Sequence, residues 1–474
     1  MGCVIQDVNN GNILAMAGYP NFDLNDPKNV ENLIGTNLVD EKGNVLSDVV
    51  TPELAEELAA NADSNDTLRL LNSLWRNFCI FNTYEPGSTM KPFTVAAGLE
   101  SGALTGNEVY QCNGSLVISE GEKPIKCHNV YGDGPVTVKD AVEMSCNVAL
   151  MRMGQAMGED TFLKYFEDFN FGLKTNVDLA GESRTASLVY NENSMGPTEL
   201  ATSTFGQGFN VTMIEMITGF SALVNGGYYY EPHMVSKITA SDGSVVKNIE
   251  PRVLKQVISE ETSAKIRDYC LEVVIGEDGT GHTARPAGYL IGGKTGTAET
   301  QPRGNKEYVV SFIGFAPADD PQIAIYVVVD RPNTEKQDDA KFATRIVKSV
   351  LTEVLPYLDI FMTEPLSDKE REELEAQQIA YREALASSVS GNEIPEEENG
   401  TETPDGETGG ETEQEPQEEY IKPEITIDPD TGLGMLPDGT KVDPNTGEPV
   451  DNVELNLPEP ITSEGSSEAD GSPF

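Results

Sequence analysis

Basic residues are scarce in this 474-residue chain: 32 Lys and Arg stand against 79 Asp and Glu, a formal net charge of -47. Neutralising a phosphate backbone needs clustered Lys and Arg, so nucleic acid is excluded as a partner, and an anionic membrane surface is disfavoured. Histidine occurs only as His128, His233 and His282, and the six cysteines (Cys3, Cys79, Cys112, Cys127, Cys146, Cys270) include no Cys-x-x-Cys pair. That spacing offers no zinc motif, so neither a metal nor a cofactor is expected. No apolar run of about 18 residues occurs, and the first residues lack the basic and apolar regions of a signal peptide. The chain as given is therefore expected to be soluble. Met1-Gly2-Cys3 has Gln6 where a myristoylation signal wants Ser or Thr, so a strand beginning there is the better account.

What is present is unevenly spread. From Phe361 to the end there are 31 acidic and 5 basic residues. This Glu-, Thr-, Gly- and Pro-rich sequence buries too little apolar area to offset its ordering entropy. Residues 361–474 are expected to be a disordered acidic tail, apart from a charged helical segment from Ser367 to Leu385. Two turn-like repeats, Asp428-Pro429-Asp430-Thr431-Gly432 and Asp443-Pro444-Asn445-Thr446-Gly447, mark a solvated spacer rather than calcium sites.

Residues 1–360 have the signals of one mixed α/β domain. The β-prone runs Gly2 to Val8 and Ile13 to Tyr19 flank Asn9-Asn10-Gly11-Asn12, whose Asn-Gly supplies the positive φ of a tight hairpin. Tyr308 to Ala316 and Gln322 to Asp330 form a second hairpin. Phe342, Ile346, Val347, Val350, Leu351, Val354 and Leu355 recur at helical spacing, and the helix is expected to end before Pro356. Residues 21–82 turn polar, with a helical stretch around Glu53 to Leu71, and are expected to be an insertion bordering the active face.

Three motifs carry chemistry. Ser88-Thr89-Met90-Lys91 is Ser-x-x-Lys; if Ser88 opens a helix, Lys91 lies one turn on, where its amine can act as base for a serine nucleophile. Ser145-Cys146-Asn147 offers a hydroxyl for proton relay and an amide for substrate, although Ser and Asn are also ordinary helix caps. Lys294-Thr295-Gly296-Thr297 follows an expected strand, Tyr289 to Gly292. A lysine and two hydroxyls there can hold a carboxylate, while Gly296 removes a side chain that would block substrate backbone from pairing with the strand. Taken singly each motif is weak: Ser244-Val245-Val246-Lys247 and Ser390-Gly391-Asn392 are second matches. Their order, Ser-x-x-Lys, Ser-x-Asn, Lys-Thr-Gly, is that of penicillin-binding proteins and class A β-lactamases.

The resemblance to class B penicillin-binding proteins extends over roughly Gly2 to Leu358. It includes Tyr84-Glu85-Pro86-Gly87-Ser88, Gly206-Gln207-Gly208 with Val211-Thr212, Asn225-Gly226-Gly227, Gly279-Thr280-Gly281, and Ser311-Phe312-Ile313-Gly314-Phe315-Ala316-Pro317. It implies the penicillin-binding transpeptidase fold, related to serine β-lactamases: an antiparallel five-stranded sheet flanked by helices, with the active site between the sheet and an all-helical part. It implies peptidoglycan D,D-transpeptidation through a Ser88 acyl-enzyme, with stem peptides as substrates, β-lactams as inhibitors, and other cell-wall synthesis or division proteins as partners. Lys91 would be the base, Ser145 and Asn147 would orient it, Lys294, Thr295 and Thr297 would grip the carboxylate, and the amides of Ser88 and Thr297 would form the oxyanion hole. Class B members usually begin with a cytoplasmic stub, a membrane helix and a non-catalytic domain. Their absence here is expected to reflect a fragment of a protein anchored at the outer face of the bacterial plasma membrane.

Cys112 and Cys127 bracket a short segment of a domain expected outside the cytoplasm, so either a disulfide or two buried thiols fits there. Cys146 is expected to be a core filler. A β-lactamase, a D,D-carboxypeptidase and a non-catalytic penicillin-binding sensor or scaffold remain alternatives. No Glu-x-x-Leu-Asn supports the first.

Overall fold

The computed structural model describes residues 1–41, 45–376 and 379, together with short strands at 426–427, 434–435 and 441–442. The chain divides into two compact units, Met1–Asn392 and Glu393–Phe474.

The first unit is organised by a five-stranded sheet in the order Gly292–Glu299, Tyr308–Ala316, Ile323–Asp330, Gly2–Asp7, Ile13–Gly18. All four pairings are antiparallel. The first and last segments of the domain thus meet at its centre: Ile5 pairs with Ile325 and Val4 with Tyr326. Alternation along Ile323–Asp330 divides the interior, because successive side chains of a strand point to opposite faces. Ala324, Tyr326 and Val328 join the larger core with Val4, Phe315 and the helix Met213–Val224, whose residues are all buried. Ile323, Ile325 and Val327 join the smaller core with Val347, Leu351 and Leu355 of the helix Lys341–Tyr357.

Several expected boundaries shift. The last helix runs through Pro356 to Tyr357, two residues past its expected stop. Pro356 has no N–H for the Thr352 carbonyl, and the helix stops one residue later. The stretch expected as one helix around Glu53 to Leu71 is two, Pro52–Ala60 and Asn65–Trp75, separated where Ser64 caps the second by accepting from the Thr67 amide. These helices and the hairpin Asn37–Val39/Val45–Val49 close around their own core of Val30, Leu33, Val39, Leu58, Leu70 and Leu71. This segment shares a cleft with Met1, Tyr19, Pro20 and residues 329–333. The cleft places this segment beside the start of the chain and the end of Ile323–Asp330.

The strand expected from Tyr289 begins at Gly292; Tyr289 instead turns its hydroxyl to the Ile360 carbonyl. The chain also stays on the fold beyond 360, correcting the boundary expected there. Leu290 donates to Thr363 Oγ1 at 2.7 Å, Arg285 pairs with Glu364, and a helical run occupies 368–376. No helix among the described residues is long and apolar enough to cross a membrane. In the second unit, Thr426–Ile427, Gly434–Met435 and Lys441–Val442 pair antiparallel in that order. The rest of the expected disordered tail, with its two turns and Ser390-Gly391-Asn392, lies outside the described residues.

Candidate active site

Ser88 sits half-buried in a single 3-10 turn, Gly87–Met90, which leads directly into the helix Lys91–Glu100. Gly87 has φ +59°, a left-handed conformation natural to glycine. Residues 91–98 of the helix are all buried. Phe93 anchors it by edge contacts with Phe169 and Phe171, each at 5.1 Å between centroids. With the helix so fixed, Lys91 has no choice of direction.

The Lys91 amine is fully buried and reaches the Ser-x-Asn motif, 54 residues away for Ser145. It donates to the Ser145 carbonyl at 2.6 Å, to Ser145 Oγ at 2.9 Å and to Asn147 Oδ1 at 2.7 Å. Burial pulls its pKa down to about 8. The partners are presented by a break between two helices. Val138–Glu143 is started by a Thr137/Asp140 capping box, and Asn147–Met157 begins after Cys146. Ser145 turns the chain between them at φ 63°, a value rarely held by a non-glycine residue unless its surroundings enforce it.

The strand Gly292–Glu299 lies on the other side of the nucleophile turn and forms a free edge of the sheet. A Cβ on Gly87 would come within 2.8 Å of the Thr297 carbonyl, which sets how closely turn and strand approach. Gly296 makes room within the protein itself. A Cβ there would lie 2.3 Å from Ser311 Oγ, 2.9 Å from Thr89 Cγ2 and 3.1 Å from the Pro86 carbonyl, so its missing side chain makes room for the nucleophile turn. Thr297 is half-buried. Thr295 Oγ1 shares a 2.7 Å hydrogen bond with Thr280 Oγ1. Lys294 is fully buried, yet its amine has only long contacts, 3.4 Å to the Thr295 carbonyl and 3.3 Å to Thr295 Oγ1. Burial, with a further contribution from the Lys91 charge, holds its pKa well below the ordinary lysine value.

Every expected site residue is thus gathered at one place: Ser88, Lys91, Ser145 and Asn147 on the helical side, Lys294 to Thr297 on the sheet edge. The competing match is not. Ser244 lies in an exposed hairpin and donates to its neighbour Asp242 at 2.7 Å. Of the two alternatives for Cys112 and Cys127, the structure has the buried thiols. All six cysteines are free thiols, and Cys112 and Cys127 form no disulfide. Cys127 Sγ instead lies 3.8 Å from Cys146 Sγ.

A family model for the penicillin binding protein transpeptidase domain matches residues 1–352. The chain belongs to this family. Stage V sporulation protein D of Bacillus subtilis (strain 168) is 39% identical over 321 residues, covering 66% of this chain and 49% of that protein. Penicillin-binding protein PbpB of Mycolicibacterium smegmatis is 31% identical over 304 residues, covering 61% of this chain and 46% of that protein. The chain spans about half the length of these curated relatives. Among solved structures, the D,D-transpeptidase domain of a peptidoglycan glycosyltransferase from Eggerthella lenta superposes with a TM-score of 0.59 at 25% identity, covering 76% of this chain and 78% of that one.

For a penicillin-binding transpeptidase domain, two features here lay beyond the sequence. One is the Ser145 carbonyl as a partner of Lys91, since a backbone atom carries no residue signature. The other is the Gly206 contact with the nucleophile turn: Gly87 N–H donates to the Gly206 carbonyl at 2.9 Å, and a Cβ on Gly206 would lie 2.0 Å from the Gly87 carbonyl. The Gly-Gln-Gly triplet pointed to it without giving the reason.

Proposed function

We propose that the chain is the catalytic part of a peptidoglycan D,D-transpeptidase and that Ser88 is its nucleophile. The observation that carries this is the buried Lys91 amine, which joins the Ser-x-x-Lys helix to Ser145 and Asn147 beside the Lys-Thr-Gly edge strand. As a neutral amine, Lys91 has two hydrogens for the Ser145 and Asn147 carbonyl oxygens and keeps a lone pair for accepting a proton.

In this reading the carboxylate of a stem peptide is held by Lys294, Thr295 and Thr297, and Ser88 Oγ attacks the carbonyl carbon of the penultimate D-alanine. The Ser88 proton passes to Lys91, and the amides of Ser88 and Thr297 donate to the oxyanion. As the C–N bond breaks, the leaving D-alanine nitrogen takes a proton by way of Ser145. An amine of a neighbouring stem then attacks the Ser88 ester, forming the cross-link and returning the proton to Ser88. A β-lactam enters the same path but keeps its leaving group tethered, so the acyl-enzyme persists. Since peptidoglycan lies outside the cytoplasm, the domain acts there. Association with other cell-wall synthesis or division proteins belongs to the same reading.

Labelling with a fluorescent penicillin, wild type against Ser88→Ala, tests the proposal. Label that requires Ser88 and persists for hours is expected. Release within minutes would assign a β-lactamase instead, and undiminished labelling of Ser88→Ala would remove Ser88 from the mechanism. Release of free D-alanine from a pentapeptide without cross-linked product would make the chain a carboxypeptidase. Stable label with no turnover of stem peptides would make it a sensor.

A further inference from the structure

The acyl-transfer scheme leaves three cysteines without a role, and the fold brings them together. Cys112 ends the strand Val109–Cys112, Cys127 follows the short strand Ile125–Lys126, and Cys146 stands between Ser145 and Asn147. Asp133 joins them from the loop before Gly134–Thr137. The three Sγ atoms and a carboxylate oxygen of Asp133 all lie within 4.8 Å of one another.

The separations fit ligands of one ion better than a disulfide. Cys127 Sγ is 3.8 Å from Cys146 Sγ and 3.7 Å from Asp133 Oδ2. Sulfurs bound at about 2.3 Å around a tetrahedral zinc stand about 3.8 Å apart, and a carboxylate oxygen slightly closer, whereas disulfide sulfurs are about 2.05 Å apart. The surroundings orient the donors as an outer shell would. Asn129 Nδ2 donates to Asp133 Oδ1 at 2.9 Å, leaving Oδ2 toward Cys127, and the Asn147 amide donates to Cys127 Sγ at 3.3 Å.

The loop has little other support: Ile118 and Ile125 pack only partly against the core, and one short strand pair, Ser115–Leu116 with Ile125–Lys126, spans it. Between 113 and 135 the only buried residues are Gly114, Leu116 and Cys127, while Val117, Val130 and Tyr131 are exposed. Its backbone is nonetheless drawn tight around the thiols. Cys127 N–H donates to the Gly114 carbonyl at 2.8 Å, and a Cβ on Gly132 would lie 2.4 Å from the Cys112 carbonyl. A loop with one buried aliphatic side chain gains little from hydrophobic burial, and a structural metal is a common substitute.

We propose that Cys112, Cys127, Asp133 and Cys146 form a structural zinc site that ties this loop to the start of the helix Asn147–Met157 and thereby holds Ser145 and Asn147 against Lys91. Three thiolates and one carboxylate suit zinc by ligand softness and by number. Binding displaces the thiol protons, so one divalent ion enters as those protons leave to solvent. The absence of a Cys-x-x-Cys pair hid the site, because its ligands come from three separate segments. Here Cys146 is a positioning residue: its neighbours Ser145 and Asn147 touch the catalytic amine, and it does not.

The test uses the whole chain, purified under reducing conditions without chelator. Elemental analysis is expected to give one zinc per chain that survives dialysis. Chelator-stripped wild type titrated with Co2+ is expected to develop the visible bands of a tetrahedral site with near-ultraviolet thiolate-to-cobalt charge transfer. Cys112→Ser should lower the charge-transfer intensity by about a third. If that variant does not fold, Asp133→Asn should keep the thiolate bands but bind Co2+ roughly tenfold or more weakly. Stripping should slow penicillin acylation roughly tenfold, with recovery on adding zinc. The site is overturned if stripped, reduced wild type gives no charge-transfer band, or if the freshly isolated protein carries a Cys127–Cys146 disulfide and no metal. Acylation indifferent to the metal overturns the positioning role. Because the spectra do not depend on turnover, this outcome separates from failure of the transpeptidase reading.

Discussion

Two lysines face each other across the cleft, both fully buried, and their surroundings differ. Lys91 has three oxygens of Ser145 and Asn147 at 2.6 to 2.9 Å. Lys294 has only contacts of 3.3 and 3.4 Å, both with Thr295 beside it in the chain. A buried ammonium without good partners is costly, and a fold keeps one where something outside the chain completes it. Lys91 is thus complete within the protein and suited to move a proton. Lys294 is incomplete and suited to receive a substrate carboxylate.

The largest expected effect tests the first half of that contrast. Lys91→Met should slow acylation by a fluorescent penicillin by about three orders of magnitude, within the range typical of a lost general base. It should also lower the unfolding temperature, because the Ser145 and Asn147 oxygens lose a buried donor. Gly296→Ala comes next. Its Cβ cannot fit against Ser311 and Thr89 without moving the nucleophile turn, and a shift approaching 1 Å in a reacting group costs about a hundredfold. Intact-mass kinetics of acylation would show it.

Lys294→Met should weaken capture of carboxylate-bearing ligands by about ten- to a hundredfold, the worth of a hydrogen bond to a charged group. The unfolding temperature should hold or rise, because a buried polar group with only long contacts is replaced by an apolar one. A marked fall in that temperature would dissolve the contrast between the two lysines.

Opposite pH responses sharpen it further. Lys91 acts as base only when neutral, so acylation at saturating ligand concentration should rise about tenfold per pH unit below about 8 and level off above it. Lys294 holds a carboxylate only when charged, and the bound anion raises its lowered pKa. Capture should therefore take up a proton and weaken as pH rises through the bound-state value, which calorimetry in buffers of different ionisation enthalpy would read. Ser244→Ala, at the other end of the scale, should leave acylation and stability unchanged within about 0.5 kcal/mol.

Much of this was legible in the sequence because it is local. Turn chemistry at Asn9 to Asn12 marked the first hairpin, and apolar runs gave Tyr308–Ala316 to the residue. The motifs supplied residue types at fixed spacing. Other features were not legible because they depend on segments far apart in sequence. The Ser145 carbonyl as a partner of Lys91, the role of Gly296 beside the nucleophile turn, and the cysteine gathering around Cys127 all arise only when separate elements are packed together.

The sequence by itself determined the chemistry available: one Ser-x-x-Lys with a downstream Ser-x-Asn and Lys-Thr-Gly, in a chain long enough to bury two lysines. Tertiary structure decided what the Lys91 amine reaches and which buried lysine keeps its partners. Residue identity sets what a side chain can do. Desolvation and the placement of neighbours set which protonation state it holds and what it reaches, and both exist only once distant segments have closed around it.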